Sequence, residues 1–320
     1  MNAVVLGAHV LDVLVRPVEA IPEGQGGELV EQIRIGPAGT AGGTAVTLAK
    51  LGARVHSAGA IGADAIGDTL VSLLERFGVD TAHLVRRRDV QTSASVLPIR
   101  RDGSRPAFHV LGANATYTVQ EAPWEAIARA THLHLGAPEL IGGEQAARLL
   151  GFAREHGVLT SADLLAPGEQ AAQIVDWIAP ALAHLDYLLP NEEQALALTA
   201  QSDLAAACRA LRERGVGCVA ATCGAQGALV CDAEGEQRVP AFPVQVVDTT
   251  GCGDAFSAGF LRGLSLGPTH RQAALLGCAV AALVAEGLGS DHGDFDLQAA
   301  QRLAAGATQT ANDQKETIRR

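Results

Sequence analysis

The sequence lacks the short patterns that mark several common types of site. No GxxxxGK[ST] segment is present, which excludes a P-loop nucleotide site. The first apolar run continues as GAHVLD and not as GxGxxG, which disfavours an oxidoreductase with a Rossmann dinucleotide site. The six cysteines show neither CxxC nor Cys/His metal spacing, and His132 and His134 have no third ligand in view. We therefore expect free thiols and ordinary hydrogen-bonded histidines.

The chain is also poor in basic charge and in long apolar runs. Lys and Arg total 24 against 35 Asp and Glu, and the net charge of −11 argues against a nucleic-acid or anionic-membrane partner. No apolar run approaches the ~20 residues of a membrane span, and no charged segment precedes the apolar residues 3–6. We expect a cytoplasmic protein whose 48% hydrophobic residues suffice for a large core.

Short apolar runs rich in β-forming residues alternate with helical patterns of ten residues or so. This alternation predicts βαβ units, and hence an α/β fold with a mostly parallel central sheet. The strand candidates are Ala3–Leu6, Val55–Ala60, His132–Leu135, Val158–Ala162, Tyr187–Leu189 and Cys218–Thr222. The helix candidates include Thr69–Phe77, Glu144–His156 and Leu204–Arg214.

Two stretches, residues 13–35 and 92–110, interrupt this alternation. Both contain alternating apolar and polar residues with a turn at Pro22-Glu23-Gly24 or Arg101-Asp102-Gly103, and neither has a helical pattern. They are predicted to be β-hairpins inserted into the α/β scaffold. A static pair of exposed hairpins and a moving lid both fit this pattern.

The segment Asp248-Thr249-Thr250-Gly251-Cys252-Gly253-Asp254-Ala255-Phe256 carries the strongest chemical signal. Its glycines permit a tight turn into a helix predicted over Ala255 to Leu264, and the free amides of a helix start stabilise an anion. A carboxylate beside such an anion site repels phosphate, so Asp254 is better suited to take a proton from an attacking hydroxyl. The segment therefore predicts phosphoryl transfer.

Cys252 in this segment has two interpretations. A helix N-terminus lowers the pKa of a thiol and can make it reactive. Alternatively, only the backbone amide of Cys252 serves the anion site, and the side chain is simply small. We favour the second interpretation.

The same nine residues resemble the C-terminal signature of the ribokinase-like (PfkB-type) carbohydrate kinases. Further matches follow in the order of that family, and together they extend over nearly the whole chain: GAHVLD at 7–12, GTAGGTA at 39–45 with AKLG at 49–52, GAIGAD at 59–64 with GD at 67–68, GAN at 112–114, PNEE at 190–193 and TCG at 222–224. The resemblance implies a three-layer α/β/α fold in which the two hairpins form a small β-sheet lid. It also implies an ATP-dependent sugar kinase.

The resemblance assigns roles to individual residues. Asp254 is the implied general base, and the amides of Gly251, Cys252 and Gly253 are the implied anion hole. Asp12, at the end of the first strand, is implied to bind the substrate together with Gly39, Thr40 and Gly43.

The resemblance also implies where ATP and metal ions bind. ATP is assigned to Asn191, Thr222, Gly224 and Gly227, and Mg²⁺ to Glu193 through water. A monovalent cation, K⁺, is assigned to Asp248 and Thr250, with Gly289 and Ser290 nearby.

Three positions depart from the family pattern. Gly43 stands where the family usually has an asparagine that holds a sugar hydroxyl. Gln194 replaces the glutamate of the Asn-x-x-Glu pattern near magnesium, and Gly136 replaces a glutamate that ribokinases carry near the sugar. The departures leave the identity of the sugar open.

Two alternatives to a sugar kinase remain from the sequence. A nucleoside kinase of the same fold is one, although only 3% of residues are aromatic and Phe108 is the one aromatic ring besides histidine in the expected lid. A non-catalytic ligand-binding member is the other.

The expected organisation is a kinase domain over residues 1–306, a polar, disordered tail over 307–320, and a homodimer formed through the lid.

Overall fold

The described residues form two β-sheets, one large and one small. The computed structural model describes residues 1–165, 168–267 and 269–306, of which 168–173 are described by their backbone alone, so the expected tail at 307–320 lies outside the described residues. The strands in chain order are β1 (Asn2–Gly7), β2 (Val10–Arg16), β3 (Gln32–Ala38), β4 (Arg54–Gly62), β5 (Asp80–Arg87), β6 (Ala94–Pro98), β7 (Phe108–Val110), β8 (His132–Gly136), β9 (Leu159–Asp163), β10 (Tyr187–Leu188), β11 (Cys218–Thr222), β12 (Ala228–Asp232) and β13 (Gly235–Val239).

The large sheet has nine strands in the order β13-β12-β11-β10-β9-β8-β1-β4-β5. Seven of them, from β11 to β5, pair in parallel, whereas the β11–β12 and β12–β13 pairings at one edge are antiparallel. The predicted mostly parallel sheet is therefore confirmed. Because the parallel strands end at one edge, the residues that follow them are brought close together there.

Helices cover both faces of this sheet. They are α1 (Thr40–Lys50), α2 (Ala65–Arg76), α3 (Trp124–Ala128), α4 (Gly143–Glu155), α5 (Gly168–Leu182), α6 (Glu192–Thr199), α7 (Leu204–Glu213), α8 (Cys252–Leu264) and α9 (His270–Ala285), and a further helix spans 297–306. Alternate strand residues belong to different cores: Val4 and Leu6 pack on the side of α4 to α7, whereas Ala3 and Val5 pack on the side of α1, α2, α8 and α9. This alternation is the expected consequence of a period of two along each strand.

The predicted strands are all present within two residues of their predicted ends, and Cys218–Thr222 coincides with β11. Helix α2 begins four residues earlier than predicted. The reason is a cap: the Asp64 carboxylate accepts a hydrogen bond from the Gly67 amide at 2.8 Å. The same carboxylate also accepts bonds from the amide and the hydroxyl of Thr92, at 2.8 and 2.7 Å, and so ties α2 to the segment that leads into β6.

The two inserted stretches form one small four-stranded sheet in the order β3-β2-β6-β7. β2 pairs antiparallel with β3 and parallel with β6, and β6 pairs antiparallel with β7. Both stretches were expected to be hairpins, and both are. We refer to this small sheet and its connecting loops as the lid.

The lid leaves the large sheet directly after β1. Asn114 holds this crossing point, because its side chain accepts from the amide of His9 at 3.1 Å and donates to the carbonyl of His9 at 3.0 Å. The sequence predicts Asp12 at the end of the first strand, and that placement is wrong. β1 ends at Gly7, and Asp12 lies in the middle of β2, within the lid.

Each face of the lid has a distinct character. One row of paired residues, Asp12, Ser95 and His109, lies on one face, and the neighbouring row, Val13, Val96 and Phe108, lies on the other. Asp12 and Ser95 are buried, whereas Phe108 is 61% exposed. Asp12 and Ser95 therefore face the rest of the molecule, His109 at the end of the same row is exposed, and the apolar row faces outward. None of the helices in the described part of the chain has the combined length and apolar character that a bilayer span requires.

Candidate active site

The site is built around the first turn of α8. This helix begins at Cys252, three residues before the predicted start, and Gly251 is its N-cap residue with φ of 76°. That left-handed conformation favours glycine, and a Cβ at this position would also lie about 2.5 Å from Cα and Cβ of Ser290. Gly251 is therefore required by the turn itself.

Gly253 differs from Gly251, because neither a positive φ nor a close neighbour requires a glycine at this position. A Cβ added there would meet no atom within 4 Å, and the residue is exposed. The backbone amides of Gly251, Gly253 and Asp254 have no hydrogen-bond acceptor among the described residues, whereas the Cys252 amide donates to Thr249 O at 3.2 Å. Free amides at a helix start, with open space before them, form a cradle that fits a phosphoryl group.

Asp254 stands beside this cradle, half-buried in the first turn of α8. Burial raises its pKa well above the usual range, and the nearby carboxylates of Asp163 and Asp12 raise it further, while Arg105 lowers it. A carboxylate with a raised pKa is a stronger base than an ordinary aspartate. The arrangement brings together the predicted base and the predicted substrate ligand, Asp12.

Asp12 reaches this site from the lid. Burial raises its pKa to about 6, and a hydrogen bond from Ser95 opposes that rise. Ser95 and His109 are themselves linked, since Ser95 Oγ lies 3.0 Å from His109 Nδ1. These two polar residues continue the row of Asp12, and no sequence motif marked them.

Asp163 is a further acidic residue that the sequence reasoning missed. It ends β9, at the carboxyl edge of the large sheet, and burial raises its pKa to about 7. Its side chain accepts hydrogen bonds from the Leu164 amide at 2.7 Å and from Ser257 Oγ at 3.1 Å. Ser257 lies one turn after Asp254 on α8, so this bond fixes the helix that carries the base. The sequence does contain one signal for Asp163: a carboxylate that directly follows the apolar part of a strand lies at the edge of a parallel sheet where ligands bind.

Two of the departures from the family pattern have a steric explanation. A Cβ on Gly43 would overlap the carboxylate of Asp254, and a Cβ on Gly136 would overlap the backbone at Thr40 and Ala41. The start of α1 thus lies directly against the end of β8 and against the base. A side chain at 43 or 136 requires one of these elements to move.

The other predicted substrate residues lie at this same helix start. Gly39 is the N-cap residue of α1, and Thr40 follows it. The hydroxyl of Thr40 is buried and has no hydrogen-bond partner within the described chain. A polar atom of this kind is normally paired, so it is available to a ligand.

Arg105 is a second residue that the sequence did not mark. It lies in the lid loop between β6 and β7, and its Nε reaches Thr249 Oγ1 at 3.4 Å and Asp248 Oδ1 at 3.7 Å. Its positive charge lowers the pKa of both Asp12 and Asp254, although burial has the larger effect on each. The lid therefore contributes a cation to the edge of the phosphoryl cradle.

An apolar cavity of about 560 Å³ opens beside the cradle. It is bounded by residues at the ends of β11 and β13 and by α8 and α9: Thr222, Gly224, Ala225, Gly227, Ala241, Phe242, Pro243, Val244, Val246, Thr249, Cys252, Gly253, Phe256, Cys278, Ala281, Ala282 and Ala285. Three of the four residues predicted to bind ATP are among them. The fourth, Asn191, does not line the cavity but lies next to Thr222 through a β-bridge.

The start of α6 explains the glutamine at 194. Asn191 and Gln194 form a capping box, with the Gln194 amide donating to Asn191 Oδ1 at 2.8 Å and the Asn191 amide donating to Gln194 Oε1 at 2.9 Å. Gln194 Nε2 also donates to Leu164 O at 3.1 Å. Gln194 is therefore buried in a structural role, while Glu193, the residue expected near magnesium, is exposed.

The loop expected to bind a monovalent cation is tightly organised. Asp248 is buried, and its carboxylate accepts bonds from the amide and the hydroxyl of Thr250, at 2.9 and 2.8 Å, and from the Gly289 amide at 3.1 Å. These bonds join the loop before α8 to the loop after α9. Ser290 lies against Gly251, and its buried hydroxyl lacks a partner in the described structure.

The thiol of Cys252 is not activated. Burial raises its pKa to about 12, and the nearby Asp248 raises it too. The thiol contacts Ala281 O at 3.6 Å in the wall of the apolar cavity. A reactive thiolate, one of the two interpretations of Cys252, is not supported by this environment.

Comparison with known proteins identifies the family. The model of the pfkB family carbohydrate kinases matches residues 1–294. The chain belongs to this family. It is therefore a phosphotransferase that acts on an alcohol group, and the ribokinase-like fold predicted from the sequence is confirmed.

Individual relatives of this carbohydrate kinase differ in their substrates. A nucleoside kinase of Methanothermobacter thermautotrophicus is 28% identical over 276 residues, which cover 85% of this chain and 86% of that protein. An ATP-dependent ribose-1-phosphate kinase of Halopiger xanaduensis is 31% identical over 262 residues, covering 82% and 84%. The structure of Arabidopsis thaliana ribokinase complexed with ribose and ATP superposes with a TM-score of 0.80 at 22% identity, covering 95% of this chain and 98% of that one.

Proposed function

We propose that this kinase transfers the γ-phosphoryl group of ATP to a hydroxyl of a small carbohydrate, with Asp254 as the general base. The observation that carries the proposal is the position of Asp254. It follows Gly253, an exposed residue of the first turn of α8 whose amide has no acceptor among the described residues, and it lies close enough to Asp12 for the two carboxylates to interact.

Each residue has a distinct part in the reaction. Asp12 accepts a hydrogen bond from a substrate hydroxyl and orients the sugar. Asp254 accepts the proton of the attacking hydroxyl as the new P–O bond forms, and its raised pKa favours that transfer. The amides of Gly251 and Gly253, with Arg105 from the lid, stabilise the charge on the transferring phosphoryl group. The Cys252 amide becomes a third backbone donor to the phosphoryl group when its 3.2 Å hydrogen bond to Thr249 O is broken.

The apolar cavity is suited to the adenine of ATP. Phe242, Val244 and Val246 supply apolar walls, and the cavity ends at Thr249 and Gly253, which places phosphates next to the cradle. Mg²⁺ prefers oxygen ligands and keeps several waters, so the exposed carboxylate of Glu193 can hold it through water. When bound, Mg²⁺ supplies positive charge that neutralises the phosphates.

A monovalent cation, K⁺, fits the loop that joins Asp248 and Thr250 to Gly289 and Ser290. The buried hydroxyl of Ser290 has no protein partner in the described part of the chain, and an oxygen in that state is a suitable cation ligand. A bound cation there would hold the loop immediately before α8.

The lid favours a sugar over a nucleoside as acceptor. A nucleobase needs an apolar or aromatic wall. Phe108, the candidate for that wall, lies on the outward face of the lid, while Ser95 and His109 lie on the inward face. Polar groups of this kind bind hydroxyls.

The outward face of the lid supports a homodimer. Ile35, Val96 and Phe108 are 49%, 43% and 61% exposed and lie in one row across the sheet, in which Val13 of β2 separates Ile35 from Val96. We propose that a second copy of the chain covers this face. We also propose that residues 1–306 act as one kinase domain and that the lid closes over the bound sugar. The cytoplasmic location expected from the sequence stays a prediction.

The test is a coupled ADP-release assay against pentoses, hexoses, keto-deoxy acids, cyclitols and nucleosides. With the best acceptor, Asp254→Asn should lower kcat by ~10²–10⁴-fold and leave ATP binding intact, because the change keeps the shape and removes the base. Asp89→Asn, an exposed aspartate outside the site, is the matched control. A kcat near that of the control would contradict the role of Asp254. Turnover of nucleosides alone would overturn the sugar assignment.

A further inference from the structure

Three potential metal ligands meet at the amino-terminal edge of the large sheet, opposite the candidate active site. Cys218 is the first residue of β11, Asp232 is the last residue of β12, and His270 is the first residue of α9. One ligand atom from each of the three side chains lies within 4.8 Å of the other two. Cys218 and Asp232 are buried, and His270 is partly exposed.

The register of the sheet explains why these residues meet. β11 and β12 pair antiparallel with Val219 opposite Cys231, so Cys218 and Asp232 are the next pair along and share a face. α9 packs on that face, and the His270 ring contacts the Tyr187 ring edge-on at 5.6 Å. The cluster is thus held by backbone pairing and by a helix start, and none of its three positions lies on a long loop.

We propose that Cys218, Asp232 and His270 bind a divalent metal ion of the zinc type, with a solvent molecule as the fourth ligand on the exposed side of His270. One thiolate, one imidazole and one carboxylate form a donor set that zinc accepts in tetrahedral geometry. Two anionic ligands and one neutral ligand also balance the charge of a divalent ion. A neutral site is the form that burial tolerates.

The surroundings of the carboxylate support this assignment. Asp232 Oδ1 accepts a hydrogen bond from the Glu234 amide at 2.8 Å, and Arg212 Nη1 donates to the carbonyl of Asp232 at 2.5 Å. Arg212 is further held by a bond from its Nε to Gly217 O at 3.2 Å. The bond from the Glu234 amide holds Oδ1 and leaves the other carboxylate oxygen, Oδ2, to the cluster, as outer partners do for metal ligands, while Arg212 fixes the backbone of Asp232.

A plain ion pair with a thiol beside it is the competing interpretation. Asp232 Oδ2 lies 2.6 Å from His270 Nδ1, and that pair is complete without a metal. The two interpretations differ in the role of the Cys218 thiol. This thiol has no hydrogen bond in the described structure and no part in the ion pair, and only the metal site uses it as a ligand. Burial raises the pKa of Cys218, so metal binding must release the thiol proton to solvent, and the affinity should rise with pH.

A bound metal would join the antiparallel edge of the sheet to the start of α9. This helix packs along α8, which carries Asp254. The inferred role is therefore structural, and it does not depend on the proposed reaction.

The experiment uses the full chain, freed of metal with a chelator and titrated with Co²⁺ in the absence of ATP. Thiolate-to-cobalt charge-transfer absorption should appear and saturate at one ion per chain. Cys218→Ser should abolish that absorption, and Asp232→Asn or His270→Gln should weaken binding by more than the roughly 10–100-fold that loss of an outer partner costs. Cys231→Ser, which removes a buried thiol of the neighbouring strand pair outside the cluster, should behave as the wild type.

Thermal unfolding gives a second measurement that does not use the absorption of cobalt. Zinc should raise the Tm of the wild type and of Cys231→Ser, and should leave the Tm of Cys218→Ser unchanged. The proposal is overturned if no charge-transfer absorption appears, if it persists in Cys218→Ser, or if zinc stabilises Cys218→Ser as much as the wild type.

Discussion

Replacing Gly253 by alanine should separate folding from phosphoryl transfer. The added Cβ meets no atom within 4 Å, and residue 253 is the second residue of α8. Alanine is more stable than glycine within a helix by roughly 0.5–1 kcal/mol. For a chain of this length we expect Tm to rise by about 1–2 °C.

Activity should fall in the same variant. The Cβ would occupy open space at the first turn of α8, whose free amides are proposed to hold the phosphoryl group. Displacing a reacting group by about 1 Å costs on the order of 10²-fold in rate. We expect kcat/KM to fall by about 10²-fold.

The assay pairs thermal unfolding with steady-state kinetics on the best acceptor from the substrate panel. Gly251→Ala is the informative comparison, because its Cβ conflicts with Ser290 and its φ is 76°. That variant should lose both stability and activity. If Gly253→Ala keeps wild-type kcat/KM, the phosphoryl group does not occupy the first turn of α8, and the reasoning from the empty space is refuted.

Three further predictions follow from the site. Cys252→Ala should change kcat and KM less than twofold, and a hundredfold loss in this variant would show that the thiol matters. Because burial raises the pKa of the thiol, a bulky thiol reagent should modify Cys252 only slowly, and the modified chain should lose ATP binding because Cys252 lines the cavity. Sugar should slow amide exchange in residues 13–35 and 92–110, and ATP alone should protect mainly 191–289; unchanged exchange in the lid with saturating sugar would mean a static sheet. The folded-state pKa of Asp163, about 7, lies above its ordinary 3.8, so the folded chain holds this proton more tightly and the associated stability is lost as pH rises from about 4 to beyond 7. Asp163→Asn should therefore gain up to about 4 kcal/mol in unfolding free energy over the wild type between pH 4 and pH 8, measured by urea denaturation, and a difference that does not change with pH would contradict a buried ionising carboxylate.

The sequence by itself determined the features that depend on neighbouring residues. The alternation of apolar runs and helical patterns identified the mostly parallel sheet, and the two non-helical stretches identified the lid strands. The segment from Asp248 to Phe256 marked the start of α8, because a turn with two glycines before an apolar helix is a local signal. Phosphoryl transfer could be predicted from the residues of this segment alone, without knowledge of the distant residues that the fold brings to the site.

The tertiary structure decided which distant residues meet. Asp12 lies in β2 and not at the end of β1, and Arg105 reaches Asp248 across 143 positions of sequence because the lid loop folds back over the site. Gly43 is a glycine because the carboxylate of Asp254 occupies the space of its side chain. Such contacts are set by strand register and by the packing of helices on the sheet, and neither is encoded in the spacing of residues along the chain. The meeting of Cys218, Asp232 and His270 has the same origin, since it requires one pairing register and one helix position that only the folded chain provides.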